Sequence, residues 1–242
     1  GAYSEQVITL PSVVPYEPPW VPPFDYAPAV GPLPAAASGR ITFGSLNRAE
    51  KMHPGVAQVW AEILLGVPGS RLILKSHQLT MPPVQARVRG WFEACGIEAE
   101  RVELSGTTPH AVHMGRLNEI DISLDPFPHS GGVSTLESLW MGVPVVTRIG
   151  PRSVERLSAS FLMQIGASRW VTETEADYVA IATELAQDIP ALAEIRRTLR
   201  DRMQRAPMCQ LDRYVAAVEG AYRRCWRRWI SRQSVLTEAE VA

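Results

Sequence analysis

The chain of 242 residues has few cysteines, no long hydrophobic run and almost no net charge. Cys95, Cys209 and Cys225 form no CxxC pair and have no histidine at zinc-ligand spacing, so we expect reduced packing thiols in a reducing compartment. No apolar run approaches the roughly 20 residues of a membrane span. The first residues lack the charged and then apolar pattern of a signal peptide. We therefore expect a cytoplasmic protein without a membrane span.

The charges almost cancel, with 24 Lys and Arg residues against 25 Asp and Glu residues. Such a balance gives no overall attraction to nucleic acid or to a membrane surface, so an anionic ligand must be held locally. Hydrophobic residues make up 46% of the chain, enough to fill the core of one large domain or two small ones. The first residue is Gly1 instead of methionine, which suggests a piece of a longer protein.

Residues 1–40 are rich in proline, which interrupts helices and strands. These prolines are Pro11, Pro15, Pro18, Pro19, Pro22, Pro23, Pro28, Pro32 and Pro34. Aromatic side chains are interleaved with them: Tyr16, Trp20, Phe24 and Tyr26. We expect a connector that these aromatic residues pin across the surface of a folded body. A solvated proline-rich tail that binds a partner is the alternative.

From residue 41 onward, short apolar runs alternate with amphipathic segments. The predicted strands cover residues 41–43, 72–74, 101–104, 122–124, 144–147 and 169–171. The predicted helices cover residues 56–64, 84–95, 154–165, 175–187, 192–204 and 211–230, with one capped by Thr107 or Thr108 and one after Gly132. This alternation predicts an α/β domain with a doubly wound parallel sheet, Rossmann-like, followed by C-terminal helices.

The segment 121–150 contains the strongest local signal for a ligand. A short strand passes through Gly131 and Gly132 into a helix that begins near Ser134 and Thr135. Backbone N–H groups at such a helix start can hold phosphate oxygens, and the two hydroxyls can add donors. A nucleotide diphosphate is the working hypothesis for this stretch. A glycine turn that only joins strand to helix is the alternative.

Further candidates follow the strands, because parallel sheets collect their ligands at this edge. We expect four segments to converge there: Asn47, Arg48 and Lys51 after the first strand, Lys75 and His77 after the second, residues 105–113 after the third and residues 129–137 after the fourth. Arg48 and Lys51 lie three residues apart and can neutralise a diphosphate, unless they form a solvated basic patch. His110 and His113 share one helix face and suit a base, a ribose or a zinc ion, although zinc requires a third ligand. Glu137 can accept the paired hydroxyls of a ribose, or be a surface carboxylate without a ligand.

Two other patterns have structural interpretations. Tryptophans at helical spacing are interpreted as packing residues in preference to a sugar platform: Trp60, Trp91, Trp140, Trp170, Trp226 and Trp229. The basic run 223–229 is similar to a nucleic-acid patch. On a terminal helix with its tyrosine and tryptophans turned inward, we interpret it as a solvated arginine face instead.

Taken together, these residues resemble the C-terminal catalytic lobe of the O-GlcNAc transferase and SPINDLY-type glycosyltransferases, a GT-B family that often carries N-terminal TPR repeats. The resemblance covers nearly the whole chain. It rests on motifs at 3–11, 43–47 with Lys51, 124–126, 131–132 and 139–147, on Arg156 with residues 159–160, and on Tyr222 and Trp226.

By this resemblance, the chain is the donor-binding lobe of an inverting glycosyltransferase that uses a nucleotide sugar without a metal. Residues 1–40 resemble the link between lobes, residues 41–206 the nucleotide-sugar lobe, and residues 207–242 a helix that packs on this lobe or on its missing partner. The family places a lysine, here Lys51, against the diphosphate, and Arg48 stands where its UDP-GlcNAc enzymes usually have a glutamine beside the same phosphates. The missing N-terminal lobe supplies the catalytic base, so the fragment alone should transfer poorly.

The resemblance also assigns the nucleoside contacts. Thr108 offers its backbone to the base, His113 stacks on uracil, and His110 replaces a lysine that contacts the ribose. The phosphate-binding turn is Gly132, Val133 and Ser134, where the family commonly has two threonines at the last two positions, and Glu137 is the acidic ribose ligand. Val133 lacks a hydroxyl, which is one of the departures that leave the donor open.

The implied activity is transfer from a UDP-GlcNAc-like donor to Ser or Thr hydroxyls of a protein. GDP-fucose or another UDP-hexose as donor, a glycan or Asn acceptor, and a sugar-nucleotide epimerase are alternatives within enzymes. A lobe without activity that binds a nucleotide or a protein is the alternative of another class.

Overall fold

The computed structural model describes residue 4, residues 6–17 and residues 28–240, with only the backbone for residues 232–240. The chain divides into two compact units, Pro18–Gln204 and the combination of Gly1–Glu17 with Arg205–Ala242. Trp20, Phe24 and Tyr26, the aromatic residues expected to pin the connector, lie outside the described residues. The domain boundaries inferred from the sequence stay predictions.

The larger unit contains a sheet of six strands in which every described pairing is parallel. The strands are β1 (Thr42–Ser45), β2 (Arg71–Lys75), β3 (Val102–Ser105), β4 (Ile122–Leu124), β5 (Val145–Arg148) and β6 (Val171–Thr172). Their order is β3-β2-β1-β4-β5-β6, the order of the Rossmann fold. The predicted doubly wound α/β fold is confirmed, and the strand order reverses between β1 and β4.

Helices alternate with these strands. The larger unit contains α1 (Pro34–Ser38), α2 (Pro54–Gly66), α3 (Pro82–Glu93), α4 (His110–Arg116), α5 (Val133–Trp140), α6 (Leu157–Gln164), α7 (Glu175–Gln187) and almost all of α8 (Ile189–Arg205). The smaller unit contains α9 (Leu211–Glu240). Short 3-10 turns join several of these elements.

Three predicted helical details are wrong for local reasons. Neither Thr107 nor Thr108 caps α4, because Pro109 occupies the N-cap and disfavours helical backbone at the residue before it. The helix predicted at 154–165 is split into a 3-10 turn and α6 at Arg156, whose φ is −118°. The proline-rich connector does contain a short helix, because Pro34 stands at the first position, where its missing N–H costs nothing.

Within the larger unit, two buried charged side chains join residues 28–40 to the rest of the unit. Asp121 accepts the N–H of Ala35 at 2.9 Å and that of Thr42 at 2.8 Å, joining α1 to β1. Burial raises the pKa of Asp121, and these N–H donors and Arg196 oppose that rise. The carboxylate thus supplies the acceptors that two buried backbone donors require.

Arg196 on α8 makes the second fastening. Its guanidinium donates to the carbonyl of Gly31 at 2.8 Å, the carbonyl of Ile120 at 2.8 Å and the side-chain oxygen of Asn118 at 3.1 Å. The side chain is only 2% exposed. Burial lowers the pKa of Arg196 to about 10, and Asp121 opposes the shift. A planar group with five N–H donors suits these scattered carbonyls better than lysine would.

The tryptophans divide between the two units. Trp60, Trp140 and Trp170 are almost completely buried in the larger unit, as predicted. Trp226 and Trp229 of α9 are 60% and 54% exposed, and their rings stack at 5.2 Å. Tyr222 is exposed as well. The prediction that the aromatic side of this helix turns inward is wrong for the described structure, because α9 turns Ala221 inward instead.

Replacing Arg196 with methionine should lower the free energy of unfolding by about 3 kcal/mol, because several buried carbonyls lose their donor. Arg197→Met is the matched control. Arg197 is its exposed neighbour and pairs only with Glu194 among the described residues, so its loss should leave stability nearly unchanged. Urea unfolding of both variants measures this, and equal losses would contradict the fastening role.

Candidate functional site

The segments after β1 to β4 converge at the carboxyl edge of the sheet. Asn47, after β1, accepts a hydrogen bond from the hydroxyl of Ser134 on α5 at 2.8 Å. Lys75, the last residue of β2, lies 3.0 Å from Nδ1 of His113 on α4, and that ring lies 3.2 Å from Glu137 on α5. The expected meeting of these four segments is confirmed. They meet around the point where strand order reverses, the usual place for a ligand in such a sheet.

The glycine corner, residues 130–132 before α5, is held in place by a buried carboxylate. Asp125 accepts the N–H of Gly131 at 2.7 Å through one oxygen and the hydroxyl of Thr147 at 2.7 Å through the other. A Cβ atom at Gly131 would overlap Thr135 Oγ1 and come within 2.7 Å of Asp125 Oδ1. The corner therefore requires glycine at 131 because of this close approach. The sequence analysis gave Asp125 no role, although an acid directly after a strand is a signal for one.

Lys51 reaches the same corner from the chain after β1. Its ammonium donates to the carbonyl of Ser130 at 2.7 Å and lies 3.5 Å from the side-chain oxygen of Asn47. Burial lowers the pKa of Lys51, Asp125 opposes the lowering, and Arg48 adds to it. An ammonium has three N–H donors. These contacts leave one of them for an anion at the start of α5.

The corner is electropositive. The first N–H groups of an α-helix have no partner within the helix, and the helix dipole adds positive potential there. Burial lowers the pKa of His129, just before the corner in sequence, and the positive charges of Lys51 and exposed Arg48 lower it further. The arrangement favours a bound anion where the whole chain offers no net positive charge.

The predicted phosphate-contacting residues differ in how the structure places them. Val133 is 65% exposed at the first position of α5. Because its side chain is apolar, its backbone N–H is the only donor it can offer. Ser134 is partly exposed and bonds to Asn47. Thr135 is 2% exposed and its hydroxyl lies 2.8 Å from that of Ser158. The expectation that Thr135 offers a hydroxyl to the ligand is wrong, because that side chain turns into the core.

Glu137 is a buried carboxylate with two histidine partners. Its Oε1 lies 2.9 Å from Nε2 of His110, and its Oε2 lies 3.2 Å from Nε2 of His113. Burial acts to raise the pKa of Glu137, but the hydrogen bonds from His113 and His110 outweigh it and leave the pKa lowered. The two rings lie nearly parallel, with centroids 6.1 Å apart. Each oxygen accepts one histidine contact and keeps a second lone pair, so a ribose hydroxyl can share this carboxylate with the histidines or replace one of them.

Thr108 lies in the loop between β3 and α4, near this histidine pair in sequence. Its side-chain oxygen is buried and has no hydrogen-bond partner among the described residues. Among those residues, no group of three or more His, Cys, Asp or Glu side chains is arranged to hold a metal ion. Within the same ranges, no helix has both the length and the hydropathy needed to cross a membrane.

The fold matches lobes of known glycosyltransferases. The C-terminal domain of a group 1 glycosyl transferase from Francisella tularensis aligns with 74% of this chain and 94% of that domain, at a TM-score of 0.53 and 11% identity. An O-GlcNAc transferase variant from Thermobaculum terrenum aligns with a TM-score of 0.75 and 37% identity, over 87% of this chain and 39% of that one. The larger unit is thus a Rossmann-like lobe of the GT-B fold.

The family follows from the sequence of the same lobe. The sequence model of glycosyl transferase family 41 matches residues 32–218, which are most of the chain. The chain belongs to that family. A relative from Hordeum vulgare, described as a probable UDP-N-acetylglucosamine–peptide N-acetylglucosaminyltransferase SPINDLY, is 40% identical over 208 residues. That match covers 86% of this chain and 22% of the relative. The chain therefore spans about a fifth of the curated relatives it resembles.

Replacing Asp125 with asparagine should change how stability depends on pH. Burial raises the pKa of Asp125 from 3.8 to about 6, although hydrogen bonds from Thr147 and Gly131 act to lower it. The protonated form thus favours folding: this contribution is complete below pH 3.8 and is lost as the pH rises through 6. The stability advantage of the wild type over Asp125→Asn should therefore shrink between pH 4.5 and 7.5, by about 2 kcal/mol.

Urea unfolding of the two proteins at both pH values measures this difference. The comparison cancels the titration of groups that the wild type and the variant share. A stability difference that is the same at pH 4.5 and 7.5, or that grows with pH, would contradict a raised pKa at Asp125.

Gly131→Ala should destabilise the corner by about 2 kcal/mol or more, because the added methyl group displaces Thr135 or Asp125. Gly90→Ala is the matched control. Gly90 lies in α3 with no atom within 4 Å of the added Cβ, so this change should be neutral or stabilising by up to about 1 kcal/mol. Thermal unfolding compares the two, and equal stabilities would rule out the tight corner.

Proposed function

We propose that this chain is the donor-binding lobe of an inverting glycosyltransferase that uses a nucleotide sugar. The observation that carries the proposal is the position of Lys51, whose ammonium is held by the Ser130 carbonyl at the start of α5. Lysine and helix N–H groups together suit the two phosphates of a nucleoside diphosphate. Membership of glycosyl transferase family 41 supports this assignment.

The proposed chemistry is loss of a nucleoside diphosphate from the anomeric carbon of the sugar as an acceptor hydroxyl attacks from the opposite face. Negative charge grows on the departing phosphate oxygen. Lys51, Arg48 and the N–H groups of Gly132, Val133 and Ser134 stabilise that charge in positions fixed before the reaction. In this proposal they hold the diphosphate without a metal ion. The catalytic base belongs to a part of the protein outside this chain.

The nucleoside would lie over the histidine pair. His113 offers a flat ring for stacking on the base, and the backbone of Thr108 borders the same place. The ribose hydroxyls would take the Oε1 atom of Glu137 from His110, since the His110 side chain is 46% exposed and the His113 side chain only 18%. His110 then remains close enough to contact the ribose itself.

UDP-GlcNAc is the proposed donor and a Ser or Thr hydroxyl of a protein is the proposed acceptor, in line with the names of the two similar transferases. Arg48, His110 and Val133 depart from the residues usual in enzymes that use UDP-GlcNAc. GDP-fucose or another UDP-hexose is therefore the second candidate donor. We further propose a cytoplasmic location and a longer polypeptide with an N-terminal lobe and TPR repeats.

Lys51→Ala in the full-length enzyme should lower kcat by a factor of about 10² to 10³, because the departing diphosphate loses a preorganised charge. Arg87→Ala is the control, since Arg87 lies on α3 over Trp91, away from the glycine corner, and its loss should leave turnover unchanged. Steady-state kinetics with circular dichroism measures turnover and folding together. Unchanged kcat in a folded Lys51→Ala enzyme would refute the role of Lys51.

UDP or GDP at millimolar concentration should raise the melting temperature of the 242-residue chain, because a ligand that binds only the folded state stabilises it. The nucleotide that protects at the lower concentration identifies the preferred base. Thermal scans with UDP, GDP and ATP decide between them. If neither UDP nor GDP raises the melting temperature, the donor-site proposal is refuted, and a lobe that binds something else is favoured.

A further inference from the structure

Lys75 is a buried cation at the ligand edge to which the proposed function gives no role. It ends β2 and is only 5% exposed. Its Nζ lies 3.0 Å from Nδ1 of His113. Burial lowers the pKa of Lys75, the charge of Arg116 adds to the lowering, and Glu137 opposes it. A buried lysine is costly unless it is paired, so its single described hydrogen-bond partner requires an explanation.

The chemistry of the lysine fixes the proton of the histidine. An ammonium group has donors and no acceptor, so Nδ1 of His113 must accept from Lys75. The proton of the neutral ring then lies on Nε2, which faces Oε2 of Glu137 at 3.2 Å and donates to it. Lys75, His113 and Glu137 thus form a chain from β2 through α4 to α5 in which each donor and acceptor is defined.

The two histidine partners of Glu137 differ in exposure. Lys75 and Glu137 are 5% and 8% exposed, and the His113 side chain is 18% exposed. His110, the other partner of Glu137, has a side chain that is 46% exposed. The contacts on the Lys75 side are therefore fixed by packing, while the contact on the His110 side is open to exchange with a ligand.

We propose that Lys75 is a positioning residue for nucleotide binding. It holds the His113 ring in one tautomer and one orientation. In that orientation the ring face is presented to the base, and Nε2 donates to Oε2 of Glu137 and leaves Oε1 to other donors. The other oxygen, Oε1, remains the place where ribose hydroxyls replace His110. This role rests on the proposed nucleotide site and adds to it a residue that touches neither the base nor the phosphates.

The test combines histidine-ring ¹⁵N NMR with UDP and GDP titrations on the 242-residue chain. In the wild type, the His113 ring should be protonated at Nε2 and unprotonated at Nδ1. Lys75→Met, which cannot donate, should lose this signature and bind the preferred nucleotide about tenfold more weakly, the effect of losing one orienting hydrogen bond. A merely structural role of Lys75 would leave the ring signature of a folded variant unchanged.

Two further variants control the experiment. Arg71→Met removes the other basic residue of β2, which bonds to Thr42 at the far end of the strand, and should change neither the His113 signature nor the affinity. Lys75→Gln keeps an N–H donor and should retain the tautomer and most of the affinity. It also serves as the test if Lys75→Met does not fold.

The outcomes separate the positioning role from the proposed function. A wild-type His113 with its proton on Nδ1 overturns the positioning role, and so does unchanged nucleotide affinity in a folded Lys75→Met. Equal loss of affinity in Lys75→Gln and Lys75→Met, despite a retained tautomer in the former, overturns it too. A wild type that binds neither UDP nor GDP refutes the proposed function itself.

Discussion

The candidate site depends on one buried carboxylate. Asp125 follows β4 directly and binds the Gly131 N–H with one oxygen and the Thr147 hydroxyl with the other. These two bonds fix the glycine corner to the sheet, and the corner fixes the start of α5. Without them the loop after β4 would lose two buried hydrogen bonds that set its path, and the direction of the first N–H groups of α5 would be less well defined.

From that corner, polar contacts extend across the strand ends. Lys51 joins the chain after β1 to Ser130, and Asn47 joins it to Ser134. On the other side of α5, Glu137 gathers His110 and His113. The first group is electropositive and the second holds a carboxylate. The negative diphosphate of a nucleotide complements the first group, and the hydroxyls of its ribose can donate to the carboxylate of the second. The two groups together therefore fit a nucleotide better than a simple anion.

The sequence predicted the layers of the fold and most of the candidate residues, because both follow from local patterns. Apolar runs such as residues 72–74 mark buried strands, and parallel strands bring the residues after them to one edge. Motif resemblance then placed Lys51, His113 and Glu137 around one ligand. Thr135 was placed wrongly, because the side of a first helical turn that meets the core depends on α6 and Ser158, which the local pattern does not specify.

The roles that escaped sequence reasoning belong to residues whose partners are distant in the chain. Arg196 bonds to Gly31 across 165 positions, and Lys75 meets His113 across 38. Nothing in the local sequence distinguishes Arg196 from an exposed arginine, and the position of Lys75 after a strand predicted the ligand edge but not the partner of Lys75. On α9, the spacing of Trp226 and Trp229 predicted burial as it did for Trp140, yet the described structure leaves them exposed. Spacing defines a helix face but does not specify what covers it.

The central claim is that a nucleoside diphosphate binds between Lys51 and the start of α5. A crystal structure of the chain with the nucleotide that binds most tightly, UDP or GDP, tests this most directly. Phosphate oxygens should lie within hydrogen-bond distance of Lys51 Nζ and of the backbone N–H groups of Gly132 to Ser134, with the ribose at Glu137. A diphosphate bound elsewhere on the lobe, with Lys51 still directed only at Ser130, would contradict it.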